Sequence, residues 1–309
     1  MHPFRFGVQL SRAPSARAWR DTARKIEDLG YSTLFIPDHF DDQFGPLAAL
    51  TVAAESTTTL RVGSLVFGND YRHPVVLAKE IATLDLLSEG RVEFGLGAGW
   101  MTSDYDQAGL LLDPPATRID RMAESLAVMR SLWSGGVTTV DGDHYRVRGL
   151  SGTPSPARPG GPPVIIGGGG RRVLRLAAAH ADIVGVNPNL AAGAIGPDVI
   201  ATAVPAAYDE RLAWLRQAAG ARFDELELQC LTFAVQVVPD GPAVLERLAA
   251  LFGMSVDDVA GSPVALIGSV DGIVETLEER RRRWGFSYVV VHEAELDAFA
   301  PVVARLAGS

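Results

Sequence analysis

A chain of 309 residues with 47% hydrophobic and 21% charged residues has ample material for a large buried core, which excludes a disordered polypeptide. Its formal net charge of −9, without any dense Lys/Arg run, argues against a nucleic-acid surface, because phosphate binding needs clustered cations. The single cysteine, Cys230, rules out an intramolecular disulfide framework and a cysteine-based zinc site, and suits a reducing cytoplasm.

The first ten residues, MHPFRFGVQL, lack the basic start, long apolar stretch and small-residue cleavage site of a secretory signal, and no apolar run approaches membrane-spanning length. The expectation is a cytoplasmic protein with no membrane partner.

Near-continuous apolar runs at 4–10, 32–37, 60–68, 91–99, 163–167, 181–186, 228–237 and 287–292 read as strands covered on both faces. Amphipathic helices separate them. In the one after strand three, Pro74 fits the first turn, Leu77, Ile81, Leu84 and Leu87 form the apolar stripe, and Gly90 stands where a left-handed cap is wanted. Another carries Ile119, Met122, Leu126, Met129 and Trp133 at helical spacing. This α/β alternation predicts a (β/α)8 TIM barrel forming a single domain over 1–309, with an open doubly wound sheet as the alternative. The stretches 135–150, 187–205 and 239–268 exceed a minimal barrel and read as insertions that border or cover a site. The basic run ERRRRW at 279–284 reads as the solvated face of a helix.

In a barrel the chemistry sits at the C-terminal strand ends. Strand two ends in IPDHF, which places Asp38 and His39 at the mouth as a proton-transfer or orienting pair, or else as a turn cap with a packed histidine. Strand three runs into GSLVFGND, where Ser64 to Asn69 straddle the strand end, as a bulge that aims backbone at a ligand or as a simple loop. Strand four reads FGLGAGW. Its Gly95, Gly97 and Gly99 at a spacing of two leave room for something else, and Trp100 either stacks on a planar cofactor or fills the core. Strand five runs into GGGGRR. Gly168, Gly169 and Gly170 before a helix starting near Arg171 suit an anion such as a phosphate, assisted by Arg171 or Arg172, or form a flexible loop.

The six histidines show no metal-ligand spacing, no GxSxG elbow occurs, and Cys230 lies in an apolar strand that suits an inert thiol. A metal site is not expected.

The run PDHF, then LRVGSLVFGNDYRHPVVLAKEIATLDLLSEGRVEFGLGAGW, then RIDRMAESLAVMRSLW and VIIGGGGRRVLRLAAAHADIV resembles the luciferase-like monooxygenase superfamily. In detail it is similar to the actinobacterial coenzyme F420-dependent oxidoreductases, over residues 4 to about 190. The resemblance implies a barrel that binds a flavin or deazaflavin at its mouth. The ring would be supported by a bulge within Ser64, Leu65 and Val66, often with a non-prolyl cis peptide, and lined by Asn69, Ala98, Gly99 and Trp100. The phosphate would lie at Gly168, Gly169, Gly170 and Arg171. His39 would be the proton donor or acceptor and Asp38 its orienting or cofactor-contacting partner. Related sugar-phosphate dehydrogenases carry a glutamate where this chain has Trp100, which argues for a carbonyl, enone or other small organic substrate. The implied cofactor is coenzyme F420, with FMN as the alternative in an oxygen-using monooxygenase. A non-catalytic flavin-binding protein is a further alternative, and a homodimer is the family habit.

Overall fold

The apolar runs become strands because each is buried on two sides, by the barrel interior and by a surrounding helix layer. The computed structural model describes residues 2–309. Its barrel strands are β1 (Arg5–Gln9), β2 (Thr33–Ile36), β3 (Arg61–Gly68), β4 (Val92–Gly97), β5 (Val164–Gly168), β6 (Ile183–Val186), β7 (Glu227–Leu231) and β8 (Phe286–His292). They close in sequential order, all parallel, with β8 returning to β1. The expected (β/α)8 barrel is therefore the fold.

Alternation divides each strand between two environments. Val62, Phe94, Leu96, Ile166, Val184 and Val289 face the helices. Phe35, Ile165, Ile183, Tyr288 and Val290 meet inside, with Leu65 and Leu231 packed against them. At the N-terminal ends of the strands, Arg5 bridges Glu93 (2.6 Å) and Glu227 (2.5 Å), and the Tyr288 hydroxyl donates to Glu93 (2.8 Å). Charge buried at this bottom end closes the barrel, away from the catalytic face of such folds.

The helix Pro74–Leu87 begins at its proline, and Gly90 takes the left-handed conformation (φ 80°) while its N–H bonds the Asp85 carbonyl at 2.8 Å. The expected seventh strand, 228–237, is two. Thr232 makes the last bond to β8, through the Val290 carbonyl, and then Phe233 and Ala234 turn their N–H groups to the Val264 carbonyl. Ala234–Val237 therefore leaves the barrel and pairs in parallel with Ala265–Gly268. Apolar residues run unbroken across the switch, so the pattern alone cannot show it. The basic run also differs from expectation, because Arg280 is only 5% exposed and points inward.

The insertions take separate forms. The stretch 135–150 becomes the hairpin Val137–Asp141 with Arg146–Ser151. The stretch 187–205 is a loop with the short helix Pro197–Ile200. Within 239–268 lie helices Gly241–Phe252 and Val256–Gly261.

Candidate active site

β2 stops before Pro37, which has no N–H to continue the ladder, and the chain turns over the mouth to present His39. Its Nδ1 lies 2.6 Å from Oδ2 of Asp104, which stands in the short helix Thr102–Ala108 just after β4. Asp104 is buried and also accepts from the Tyr71 hydroxyl (2.9 Å) and the Phe40 N–H (3.3 Å). Burial, followed by the bond to Asp104, keeps the Tyr71 phenol protonated well above its ordinary range. A carboxylate only accepts, so His39 Nδ1 carries the proton, and Nε2 is left outside this contact. The Trp100 ring meets His39 edge-on, with centroids 5.8 Å apart.

This arrangement corrects the orienting role expected of Asp38. Its carboxylate does not touch His39. It takes the Arg72 guanidinium on both oxygens (2.5 and 3.0 Å) and the Gly68 N–H at 2.9 Å. Asp38 thus ties the end of β2 to the exit of β3.

The register of β3 against β4 shifts between Ser64 and Phe67, and the Leu65–Val66 peptide is cis. The Leu65 side chain faces the barrel interior, and its carbonyl accepts from Gln9 Nε2 at 2.9 Å. Ser64 alternates with it, shares the outward face of Val62, and keeps a fully buried hydroxyl with no hydrogen-bond partner. The serine hydroxyl therefore points away from the mouth. Val66 covers Gly95 and Gly97, where an added Cβ would strike the Ser64 carbonyl or lie 2.5 Å from Val66 Cγ2. These glycines admit the bulge of the neighbouring strand, not a cofactor. Gly99 lies beyond β4 at φ 79°, packed against the Tyr105 hydroxyl, which donates to Asp70 at 3.0 Å. Arg118 donates to the carbonyls of Ala98 and Gly99 and fixes the turn that carries Trp100. Asn69 is buried and donates to the Tyr145 hydroxyl (3.3 Å) of the hairpin, while its Oδ1 has no partner.

The glycine run divides in the same way. A Cβ on Gly168 would meet Val173, and one on Gly169 would meet the carbonyls of Asn187 and Pro188, so protein already fills both places. Only Gly170 is open, with nothing within 4 Å of an added Cβ. It caps the helix Arg171–His180 without a side-chain bond, which leaves the first-turn N–H groups for an anion. Arg172 pairs with Asp120 (2.6 Å), while Arg171 is exposed and has no ion pair among the described residues.

Other mouth residues escape the motif reading. Tyr288 lies inside the barrel, so alternation along β8 brings His292 to its inner rim, in register with Gln9 of β1. Gln229 on β7 borders Gly185, with a buried and unpartnered Nε2, and Asn187 follows β6 beside Gly167. The signal was period-two alternation, readable only once one inward residue is known. Burial pushes the Cys230 thiol up to about 12, an unreactive state. Among the described residues no group of His, Cys, Asp and Glu is placed to hold a metal, and no helix is long and apolar enough to cross a membrane.

A (β/α)8 barrel that gathers a histidine, a bulged strand and a helix N-terminus at one mouth is a small-molecule site of the barrel class. The chain belongs to the luciferase-like monooxygenase family, whose model matches residues 1–252. It is 31% identical over 171 residues to an uncharacterized protein of Mycobacterium tuberculosis, covering 48% of this chain and 59% of that one. It is 32% identical over 191 residues to the F420-dependent glucose-6-phosphate dehydrogenase of Nakamurella multipartita, covering 58% and 55%. The matches thus span little more than half the length of these relatives. Over 132 residues it is 35% identical to the 4-hydroxyprotoasukamycin monooxygenase of Streptomyces nodosus subsp. asukaensis, covering 41% and 35%. Its fold matches the coenzyme F420-dependent tetrahydromethanopterin reductase of Methanopyrus kandleri with a TM-score of 0.77 over 99% of both chains, at 20% identity.

Proposed function

We propose that the protein is a coenzyme F420-dependent oxidoreductase that passes a hydride between the deazaflavin and a small organic substrate. The observation that carries this reading is the His39–Asp104 pair at the barrel mouth, beside Trp100. The F420-dependent relative supports it. The residues present are compatible with the group: the apolar inner cluster, with Leu65 packed against it, would offer a floor for a flat ring, and Ala98, Gly99 and Trp100 on the turn after β4 would border it. Gln229 Nε2 and Asn69 Oδ1 are buried polar atoms in need of partners. Gly170 and the following N–H groups, with Arg171, would hold the phosphate.

When bound, the deazaflavin supplies a hydride at C5. In carbonyl reduction His39 would give its Nε2 proton to the substrate oxygen, so that the product would be an alcohol. In the reverse direction neutral Nε2 takes the hydroxyl proton. Asp104 holds the ring in one orientation through Nδ1.

Titration with oxidised coenzyme F420 and, separately, FMN tests the reading through quenching of tryptophan fluorescence. Preferential quenching by the deazaflavin, followed by substrate-dependent reoxidation of reduced F420, is expected. The monooxygenase relative favours a second reading, an FMN-dependent monooxygenase. Preferential FMN binding with oxygen uptake from reduced flavin would replace the first reading by that one.

A further inference from the structure

The exits of β2, β3 and β4 meet at one carboxylate. Asp104 is buried, and no lysine or arginine pairs with it among the described residues. A buried charge without a permanent cation depends on hydrogen-bond donors. Three reach it: His39 Nδ1 at 2.6 Å and the Tyr71 hydroxyl at 2.9 Å on Oδ2, and the Phe40 N–H at 3.3 Å on Oδ1. His39 and Phe40 are neighbours on the loop that follows β2, so both belong to the segment being placed. Of the three, Tyr71 alone comes from another element, the short 3-10 turn Asn69–Tyr71 after β3.

The end of β3 is shaped to seat this ring. A Cβ on Gly68 would lie 2.5 Å from Tyr71 Cδ2 and Cε2, so glycine is what admits it. The Phe40 ring lies against Tyr71 with centroids 4.6 Å apart, and the Tyr105 ring stands 5.7 Å away. Burial and the bond to Asp104 keep the phenol protonated, so the hydroxyl donates at any ordinary pH. The next residue, Arg72, takes the carboxylate of Asp38, which precedes His39 in the chain. Two consecutive residues after β3 thus hold the β2 exit, Arg72 directly at Asp38 and Tyr71 through Asp104.

We infer that Tyr71 is a positioning residue: its hydroxyl fixes the Asp104 carboxylate from the β3 side and, through it, the place of the His39 ring. The consequence for catalysis rests on the oxidoreductase reading, whereas the positioning itself does not. Without the hydroxyl, Asp104 keeps only donors from the loop that carries His39, and nothing ties that contact to the rest of the barrel mouth.

The test is nuclear magnetic resonance of the full chain, labelled with nitrogen-15 histidine and free of cofactor. Tyr71→Phe removes one oxygen and leaves the ring in its seat. The His39 Nδ1–H resonance is assigned by its disappearance in His39→Gln, and its exchange with water is measured. Exchange is expected to be about tenfold faster or more in Tyr71→Phe, as loss of one hydrogen bond to a charged group implies. The ring signals of His180 and His292 should not change, which separates release of His39 from general loosening. Equal exchange in wild type and Tyr71→Phe, absence of a His39 Nδ1–H signal in wild type, or changes spread over all three histidines would each overturn the inference. Coenzyme F420 titration of the wild type is run alongside. Faster exchange in the variant without F420 binding would uphold the positioning and remove the oxidoreductase reading. F420 binding with unchanged exchange would do the reverse.

Discussion

His39 and Asp104 stand 65 positions apart in the chain and 2.6 Å apart at the barrel mouth. The contact sets the histidine tautomer, so Asp104 acts as a positioning residue. Replacing His39 with Ala should lower kcat about a hundredfold, the ordinary contribution of a general acid or base. Asp104→Asn should cost part of that factor, because an amide can donate to Nδ1 and allow the other tautomer. Nitrogen NMR of the ring reads the tautomer directly, without cofactor. An unchanged Nδ1–H signal in Asp104→Asn would remove Asp104 from this role.

The open place in the glycine run leads to an unusual pairing of effects. Gly170 has extended backbone (φ −101°, ψ 150°) and free space, so Gly170→Asp is expected to fold and to cap the helix Arg171–His180. Thermal stability should rise slightly, by a few tenths of a kcal/mol. Cofactor affinity should fall by about tenfold or more, as a carboxylate takes the anion's place. Gly169→Asp is a poor substitute, since its Cβ would collide with the Asn187 and Pro188 carbonyls whether or not an anion binds there. Undiminished cofactor binding by a folded Gly170→Asp variant would refute the phosphate site.

Asp38 and Arg72 carry a structural prediction. The carboxylate is 5% exposed and would keep only the Gly68 N–H if the guanidinium were removed. Arg72→Leu should therefore destabilise the fold by about 3 kcal/mol, the cost of leaving a buried charge without its partner. Asp38→Asn combined with Arg72→Leu should recover much of that loss. Chemical denaturation of the single and double variants measures both.

Glu27 makes acid stability local and testable. Burial works to raise its pKa, but the N–H groups of Thr59, Leu60 and Thr58 and the Thr59 hydroxyl outweigh it and hold the carboxyl down at about 2. A carboxyl depressed on folding stabilises the native state above its ordinary value of 4.5, and this contribution disappears as pH falls towards 2. The Tm gap between wild type and Glu27→Gln should be full at pH 7 and close across that window. A gap independent of pH would mean that the charge is not what joins the helix Ala16–Asp28 to the residues just before β3.

The sequence by itself determined the barrel, the helix from Pro74 and the helix start at Arg171, because apolar periodicity and proline or glycine punctuation act over a few residues. It also placed His39 at a strand end. Only the tertiary structure decided that Asp104 and not Asp38 faces that histidine, that Val66 and Tyr105 fill the space left by the strand-four glycines, and that Gly170 alone of its run is open. The same holds for the switch of strand at Thr232 and for Arg280 turning inward. Each of these depends on groups brought together by closure of the barrel across many residues, and a local pattern fixes which face a side chain takes but not what it meets there.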